Sequence, residues 1–221
     1  MVVSAASGDD SAEAHEALAA LCQAYWRPLY EYILHRGYRE ADAQDLTQEF
    51  FTRLIDKNYA GQADRDRGRF RSFLLGSVKH FLSSEARHAR AGKRGGGRIP
   101  VSLEHHTEDG RQFPEPQDEQ TPDKIFERRW ALTVIEHALQ ALSEMKHFEH
   151  LRQFVTDGGE APAAYGVVGA QLGMTEGAVK VAVHRMRRRF GQSLRAEIAR
   201  TVESDSKVDD ELRHLLAAMQ G

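Results

Sequence analysis

The sequence predicts an all-α protein in which two small helical domains are joined by an acidic flexible linker. Apolar residues recur at spacings of three and four along most of the chain, which is the period of a helix with one buried face. Alternating strand patterns are nearly absent. A stretch over about residues 92–123 collects glycines and then prolines without a sustained period, as linkers do. The predicted domains cover residues 12–91 and 124–200, with a C-terminal extension over 201–221.

Three helices are predicted in the first domain. The first covers about residues 12–36 and ends at Gly37, and Pro28 is expected to kink or divide it because proline lacks the backbone donor. The second covers about residues 40–56, and the third about residues 68–90. The apolar stripe of the third helix predicts these core positions: Phe70, Phe73, Leu74, Val78, Phe81 and Leu82.

The second domain contains the most specific local pattern of the chain. Helical patterning resumes near Phe126, and shorter helices are predicted over about residues 146–155, 161–172 and 175–190. The last two are joined by a turn at Gly173, which is the pattern of a helix-turn-helix. Thr175 is placed to cap the second of these helices.

The second helix of this pattern has an apolar and a charged side. The residues expected to pack inward are Val179, Val183, Met186 and Phe190. The residues expected to face outward, with Arg185 at the boundary, are Glu176, Lys180, His184, Arg187 and Arg188. Short side chains near the start of a helix and cations further along suit the major groove of DNA. A helical hairpin with a merely solvated charged face is the alternative.

Composition narrows the class of protein. No apolar run is long enough to span a membrane, and the acidic N-terminal segment does not read as a signal peptide. The single cysteine, Cys22, excludes an intramolecular disulfide and a cysteine-rich zinc cluster. We therefore expect a cytoplasmic protein without membrane insertion.

Charge is unevenly distributed although the net charge is only −3. Basic clusters over residues 87–98 and 184–189 flank an acidic stretch over residues 99–124. This alternation predicts a chain that meets a polyanion at two places.

The stretch ADAQDLTQEFFTRL, residues 41–54, places several carboxylates on one helical face. Asp42, Asp45 and Glu49 could hold a hard cation, but no second acidic motif supplies further oxygen ligands. As catalytic carboxylates, these three residues lack a recognisable second catalytic residue. Two other interpretations stay open. The face is either merely solvated, with Glu49 and Arg53 as a weak i,i+4 pair, or it is a surface that docks another protein.

Two motifs in order resemble a known family. The segments DAQDLTQEFFTRLI and RFRSFLLGSVKHFLSSEARHARAGKR resemble region two of bacterial sigma factors of the extracytoplasmic-function type, and the helix-turn-helix resembles their region four. The resemblance implies a dissociable promoter-specificity subunit of RNA polymerase, without enzymatic activity, cofactor or metal, that is associated with the nucleoid. Its implied partners are promoter DNA and the polymerase core, through the clamp helices of the largest catalytic subunit and the flap.

The resemblance also implies roles for individual residues. The residues that it places against the polymerase are Asp42, Asp45, Gln48, Glu49 and Thr52. The residues that it places at the minus-ten element are Arg69, Arg71, Lys79, His80 and Arg87. The residues that it places at the minus-thirty-five element are Thr175, Glu176, Gly177, Lys180, His184, Arg185, Arg187 and Arg188.

Two departures from the family pattern change these expectations. The segment FLLGSVKH has His80 in place of a frequent Asn and Phe73 in place of a frequent Trp, so the family's minus-ten preference is not carried over. Gln44 replaces an acid that the docking surface often has. Phosphorylation of Thr52, on the polar side of the helix, is a hypothesis for restoring that charge, whereas Thr47 lies on the apolar side. A Ser/Thr kinase or an anti-sigma factor would then be the regulatory partner.

Two other functions stay open at the level of sequence. One is a stand-alone helix-turn-helix regulator whose first domain senses a signal or dimerises. The other is a carboxylate-dependent metalloenzyme built on Asp42, Asp45 and Glu49.

Overall fold

The computed structural model describes residues 12–56, 70–92, 121–156, 162–202 and 204–220. Every regular element within these ranges is a helix, which confirms the predicted all-α class. The helices are α1 (Ala12–His35), α2 (Glu40–Asp56), α3 (Phe70–Gly92), α4 (Pro122–Gln140), α5 (Phe148–Leu151), α6 (Gln153–Thr156), α7 (Pro162–Leu172), α8 (Glu176–Ala199) and α9 (Val208–Gln220), with a 3-10 turn at Asp205–Lys207 before α9. None of the described helices combines the length and the apolar character needed to cross a bilayer.

Helix bounds follow the sequence periods closely, with three differences. The segment predicted as one helix over about residues 146–155 forms two short helices, α5 and α6. Pro28 lies inside α1, which continues through it as one helix, because Leu29 and Ile33 in the following turn are fully buried and hold the segment in place. Helix α8 continues to Ala199, beyond the predicted end near residue 190. Its apolar stripe continues at a spacing of four through Leu194 to the buried Ile198, so the second half is held by packing as the first half is.

The chain divides into two compact units. The first comprises Met1–Thr133 and Arg200–Gly221, and the second comprises Val134–Ala199. These bounds differ from the predicted domains, because the first half of α4 and all of α9 belong to the first unit. The predicted linker lies almost wholly outside the described residues.

Aromatic side chains form the centre of the first unit. Tyr25 of α1 meets Phe70 of α3 edge-on, with ring centroids 5.5 Å apart. Tyr32 meets Phe126 of α4 in the same way at 6.4 Å. Edge-to-face pairs at these distances stabilise a core beyond the area that they bury. The helices α1, α3 and α4 therefore share one aromatic core.

A buried guanidinium connects three helices of the first unit. Arg71 of α3 is only 3% exposed and forms ion pairs with Glu127 of α4 and, at 3.3 Å, with Glu211 of α9. Glu211 is itself 2% exposed, and the Arg71 guanidinium lies 4.7 Å from the centre of the Trp130 ring. A buried charge requires such partners, because desolvation otherwise costs several kcal/mol, of the order of 3–5 when one partner is missing. This network explains why α9 belongs to the first unit.

The position of Arg71 corrects one sequence-based expectation. Arg71 is predicted among the cations that meet an open DNA strand, but the carboxylates of Glu127 and Glu211 and the indole of Trp130 enclose it. The apolar spacing of α3 did not reveal this, because the partners of Arg71 lie 56 and 140 residues further along the chain.

Burial also determines the state of two other polar groups in the first unit. Cys22 is half-buried in α1, and burial raises the pKa of its thiol to about 11, so the thiol is protonated at neutral pH. Burial raises the pKa of the Tyr25 hydroxyl, an effect that the positive charge of Arg71 partly opposes. Neither group is poised to act as a nucleophile.

Replacement of Glu211 by alanine should destabilise the first unit by about 3 kcal/mol, because Arg71 stays buried after losing one of its carboxylate partners. Urea unfolding followed by tryptophan fluorescence measures this unit alone, since both tryptophans, Trp26 and Trp130, lie in it.

The matched control is Arg213→Ala on the same helix. Arg213 pairs with Asp210 at 2.5 Å in an exposed position, and such pairs contribute less than about 1 kcal/mol. Equal losses for Glu211→Ala and Arg213→Ala would contradict the importance of the buried network.

Candidate nucleic-acid interface and docking surface

The second unit is a helix-turn-helix packed on two short helices. Val179, Val183 and Met186 of α8 are buried against Tyr165 and Val168 of α7, and Phe190 packs partly against the same cluster. This confirms the predicted inward face of α8. The short helices contribute Phe148, Leu151 and Phe154, and the ring of Phe154 stacks on that of Tyr165 at 4.6 Å.

Two glycines shape the turn between α7 and α8. The amide of Met174 donates to the carbonyl of Gly169 at 2.8 Å, and a Cβ added to Gly169 would lie only 2.7 Å from the carbonyl oxygen of Met174. Gly173 has a φ of 64°, a left-handed conformation that favours glycine. The chain therefore reverses tightly here, as the sequence predicted.

The start of α8 is capped as expected. The amide of Ala178 donates to the side-chain oxygen of Thr175 at 3.2 Å, and the amide of Val179 donates to the backbone carbonyl of the same residue at 3.0 Å. A threonine in this position satisfies one of the free amides of the first turn. The cap therefore fixes the residue at which α8 begins.

The outer face of α8 carries several basic side chains among small, apolar and polar ones. The exposed members among the residues assigned to the minus-thirty-five element are Thr175, Glu176, Gly177, Lys180, His184, Arg185 and Arg188. Lys180 binds Glu176 at 2.6 Å, and this hydrogen bond, with the attraction of the same carboxylate, raises the pKa of Lys180.

Arg187 does not share this exposed face. It is half-buried, and its Nε donates to the carbonyl of Phe154 at 3.0 Å. The predicted outward orientation of Arg187 is therefore wrong. At about 100° per residue Arg187 lies at the edge of the buried stripe, and its long side chain reaches the end of α6.

Sequence reasoning missed two exposed residues on the same helix. Val181 is 51% exposed and Arg189 is exposed. The helical period could have found Val181, since it lies two residues from both Val179 and Val183 and hence on the opposite side of the helix.

The acidic face of α2 is open to solvent. The residues assigned to the polymerase-docking surface, all of them exposed, are Asp42, Asp45, Gln48, Glu49 and Thr52. The other side of α2 is buried through Ala43, Thr47, Phe50 and Leu54. Helix α2 therefore presents its carboxylates outward.

One carboxylate of the acidic face is held by a cation. Arg53 binds Glu49 at 2.5 Å, which confirms the predicted i,i+4 pair, and it also binds Glu85 of α3 at 2.8 Å. Desolvation lowers the pKa of Arg53, but the hydrogen bonds to Glu49 and Glu85 outweigh it and leave the pKa raised. The bonds of Arg53 orient Glu49 and tie α2 to α3.

The two threonines of α2 differ as the sequence predicted. The hydroxyl of Thr47 is buried and donates to the carbonyl of Ala43 at 2.6 Å. The hydroxyl of Thr52 is exposed and donates to the carbonyl of Gln48 at 3.0 Å. Only Thr52 of this pair is accessible to another protein.

The geometry lends no support to a metal centre on α2. Within the described ranges no group of three or more histidine, cysteine, aspartate or glutamate side chains is close enough to share a metal ion. Asp42, Asp45 and Glu49 are thus spaced along the helix rather than gathered around one point.

The remaining residues assigned to the minus-ten element lie on α3. Lys79, His80 and Arg87 are exposed, and Lys79 forms an ion pair with Asp123 at 2.6 Å. His80 and Phe81 of α3 line a cavity of about 350 Å³, whose opposite wall is formed by Phe50, Arg53 and Leu54 of α2. Arg69 lies outside the described residues.

Comparison with known proteins identifies no related protein. No protein-family model matches the chain, and no match is found among the curated proteins or the solved structures.

Replacement of Gly169 by alanine should destabilise the second unit by about 1–3 kcal/mol, because the added methyl group overlaps the Met174 carbonyl. Hydrogen exchange at the amides of Val179, Val183 and Met186 reports on this unit, and their protection should fall.

The control lies one turn earlier in the same helix. A Cβ at Gly166 would meet no atom within 4 Å, so Gly166→Ala should stabilise the helix by about 0.5–1 kcal/mol. Loss of protection in both variants would show that the close approach at Gly169 is not the cause.

Proposed function

We propose that the chain is a promoter-specificity subunit of bacterial RNA polymerase, a sigma factor of the extracytoplasmic-function type. The observation that carries the proposal is the division of α8 into a buried apolar side and an exposed basic side, directly after a tight helix-turn-helix connection. The resemblance of the two sequence motifs to regions two and four of that family points to the same function.

The chemistry of α8 suits duplex DNA. Its first turn presents small side chains at Gly177 and Ala178, which allow a close approach to base edges. The following turns present Arg185, Arg188 and Arg189, which can bind phosphates or the acceptor edge of guanine. In this proposal α8 binds the minus-thirty-five element.

The acidic face of α2 supports a protein partner rather than a second DNA contact. Exposed carboxylates at Asp42 and Asp45 repel a polyanion but attract a basic protein surface and speed its association. In this proposal the face docks on the clamp helices of the polymerase, and Lys79, His80 and Arg87 of α3 follow the opened strand at the minus-ten element. The protein would act in the cytoplasm, on the nucleoid, and would not be an enzyme itself.

The alternative of a stand-alone regulator makes a different prediction about the same surfaces. A regulator needs α8 but has no use for a polymerase-docking face. The decisive experiment adds the purified protein to bacterial core polymerase and measures transcription from promoters that the core alone does not use. A protein that binds DNA alone and confers no initiation would overturn the proposal.

Two substitutions should separate the surfaces. Asp45→Ala should weaken binding to core polymerase several-fold, with a slower association, while unit folding is unchanged. Arg185→Ala should leave core binding intact and weaken promoter binding by about 1–3 kcal/mol. Binding to labelled core and to promoter duplexes is measured separately.

Arg152→Ala is the matched control for Arg185→Ala. Arg152 is exposed in the same unit, but it lies outside α8 and pairs with Glu149 at 3.6 Å. An equal loss of promoter binding in both variants would show that the charge of the unit, and not the face of α8, is responsible.

Phosphorylation of Thr52 remains a proposal for regulating the docking face. Its exposure and its place beside Glu49 mean that a phosphate, or the mimic Thr52→Glu, adds negative charge to a face that has the neutral Gln44 in place of an acid. Thr52→Glu and Gln44→Glu should both raise affinity for core polymerase several-fold, whereas Thr52→Ala should not. Equal affinity of the Ala and Glu variants would end the phosphorylation hypothesis.

A further inference from the structure

Val181 lies on the exposed face of α8, in the second turn of the helix. Two residues along a helix correspond to about 200° of rotation, so Val181 points away from Val179 and Val183. Those two valines are buried, whereas Val181 is 51% exposed. The apolar side chain therefore contributes nothing to the buried cluster of the second unit.

An exposed valine alone is ordinary on a protein surface, but this one has unusual neighbours. One turn earlier lie Gly177 and Ala178, and one turn later lie His184 and Arg185, all of them exposed. A branched apolar side chain is thus framed by small residues on one side and by cationic or polar residues on the other. Charge complementarity points to a polyanion as the occupant of this face.

Gly177 gives an independent indication of close approach. A Cβ added to it would meet no atom within 4 Å, so nothing in the described part of the protein requires a glycine at this position. Glycine inside a helix is less stable than alanine. The absence of a side chain instead leaves free space directly before Val181, where a bound molecule can approach the backbone.

The polyanion that fits is B-form DNA rather than RNA. An α-helix enters the wide major groove of B-DNA, whereas the major groove of A-form RNA is too narrow and deep for side chains to read. The base edges of the major groove carry hydrogen-bonding groups, which a valine cannot pair, and one apolar group, the 5-methyl of thymine.

We infer that Val181 reads the 5-methyl group of a thymine within the upstream promoter element. The inference rests on the proposed function, since it names the base that the face of α8 selects. Val181 packs against the methyl group while His184 and Arg185 hold the neighbouring polar groups of the DNA.

The test uses the full chain bound to core polymerase. A preferred duplex is first selected from a library randomised over the upstream element. Each thymine of that duplex is then replaced by uracil, which removes only the methyl group. At one position uracil should weaken binding about fourfold, the factor that corresponds to removing one buried methyl group. Val181→Ala should bind the thymine duplex more weakly and should no longer distinguish thymine from uracil.

Val167→Ala is the control, because Val167 is 59% exposed on α7 of the same unit. This variant should keep the full difference between thymine and uracil. The inference is overturned if selection shows no thymine preference, if uracil is tolerated at every position, or if Val181→Ala keeps the difference. Failure of the proposed function gives a different result: the complex then selects no DNA sequence at all, and the inference fails with it.

Discussion

The structure of the first unit depends on the buried positive charge of Arg71, which would destabilise an apolar core if it were not compensated. Arg71 is placed among aromatic rings, where a guanidinium is stable only with carboxylates at hand. Glu127 and Glu211 supply them from α4 and α9, two helices that are far from α3 in sequence. The hydrogen bonds within these ion pairs are directional. They therefore determine which helices pack together as well as how strongly those helices are held. The aromatic contacts of Tyr25 and Tyr32 then join α1 to α3 and to α4.

The second unit is organised by shape instead of charge. Its buried cluster consists of aliphatic and aromatic side chains, and its tight turn depends on the absence of a side chain at Gly169. Exposed cations such as Arg185 and Arg188 lie on its outer surface, and the half-buried Arg187 lies at the edge of the cluster, where it donates to the Phe154 carbonyl. The two units thus illustrate two ways of giving a small helical domain a single structure: paired buried charge in one, and close backbone contact in the other.

The sequence predicted well what depends on local spacing. The bounds of α2, the cap at Thr175, the turn at Gly173 and the buried side of α8 all follow from periods and residue types within one or two turns. It predicted poorly what depends on distant partners. Arg71 is a cation of the kind that binds DNA, and its buried contacts with Glu127 and Glu211, 56 and 140 residues away, reveal that it is structural. Arg187 was misjudged for a similar reason, since the carbonyl that it binds belongs to another helix.

The separation of α8 into a packed side and an open side bears on how such a protein can evolve. Substitutions at Val179, Val183 or Met186 would loosen the helix-turn-helix and be removed by selection for stability. Substitutions at Val181, His184 or Arg185 meet no such constraint, because these side chains lie outside the buried cluster. Residues on the open side of α8 can therefore change while the buried scaffold is inherited unchanged, and duplicated copies can diverge on this surface without first acquiring compensating mutations.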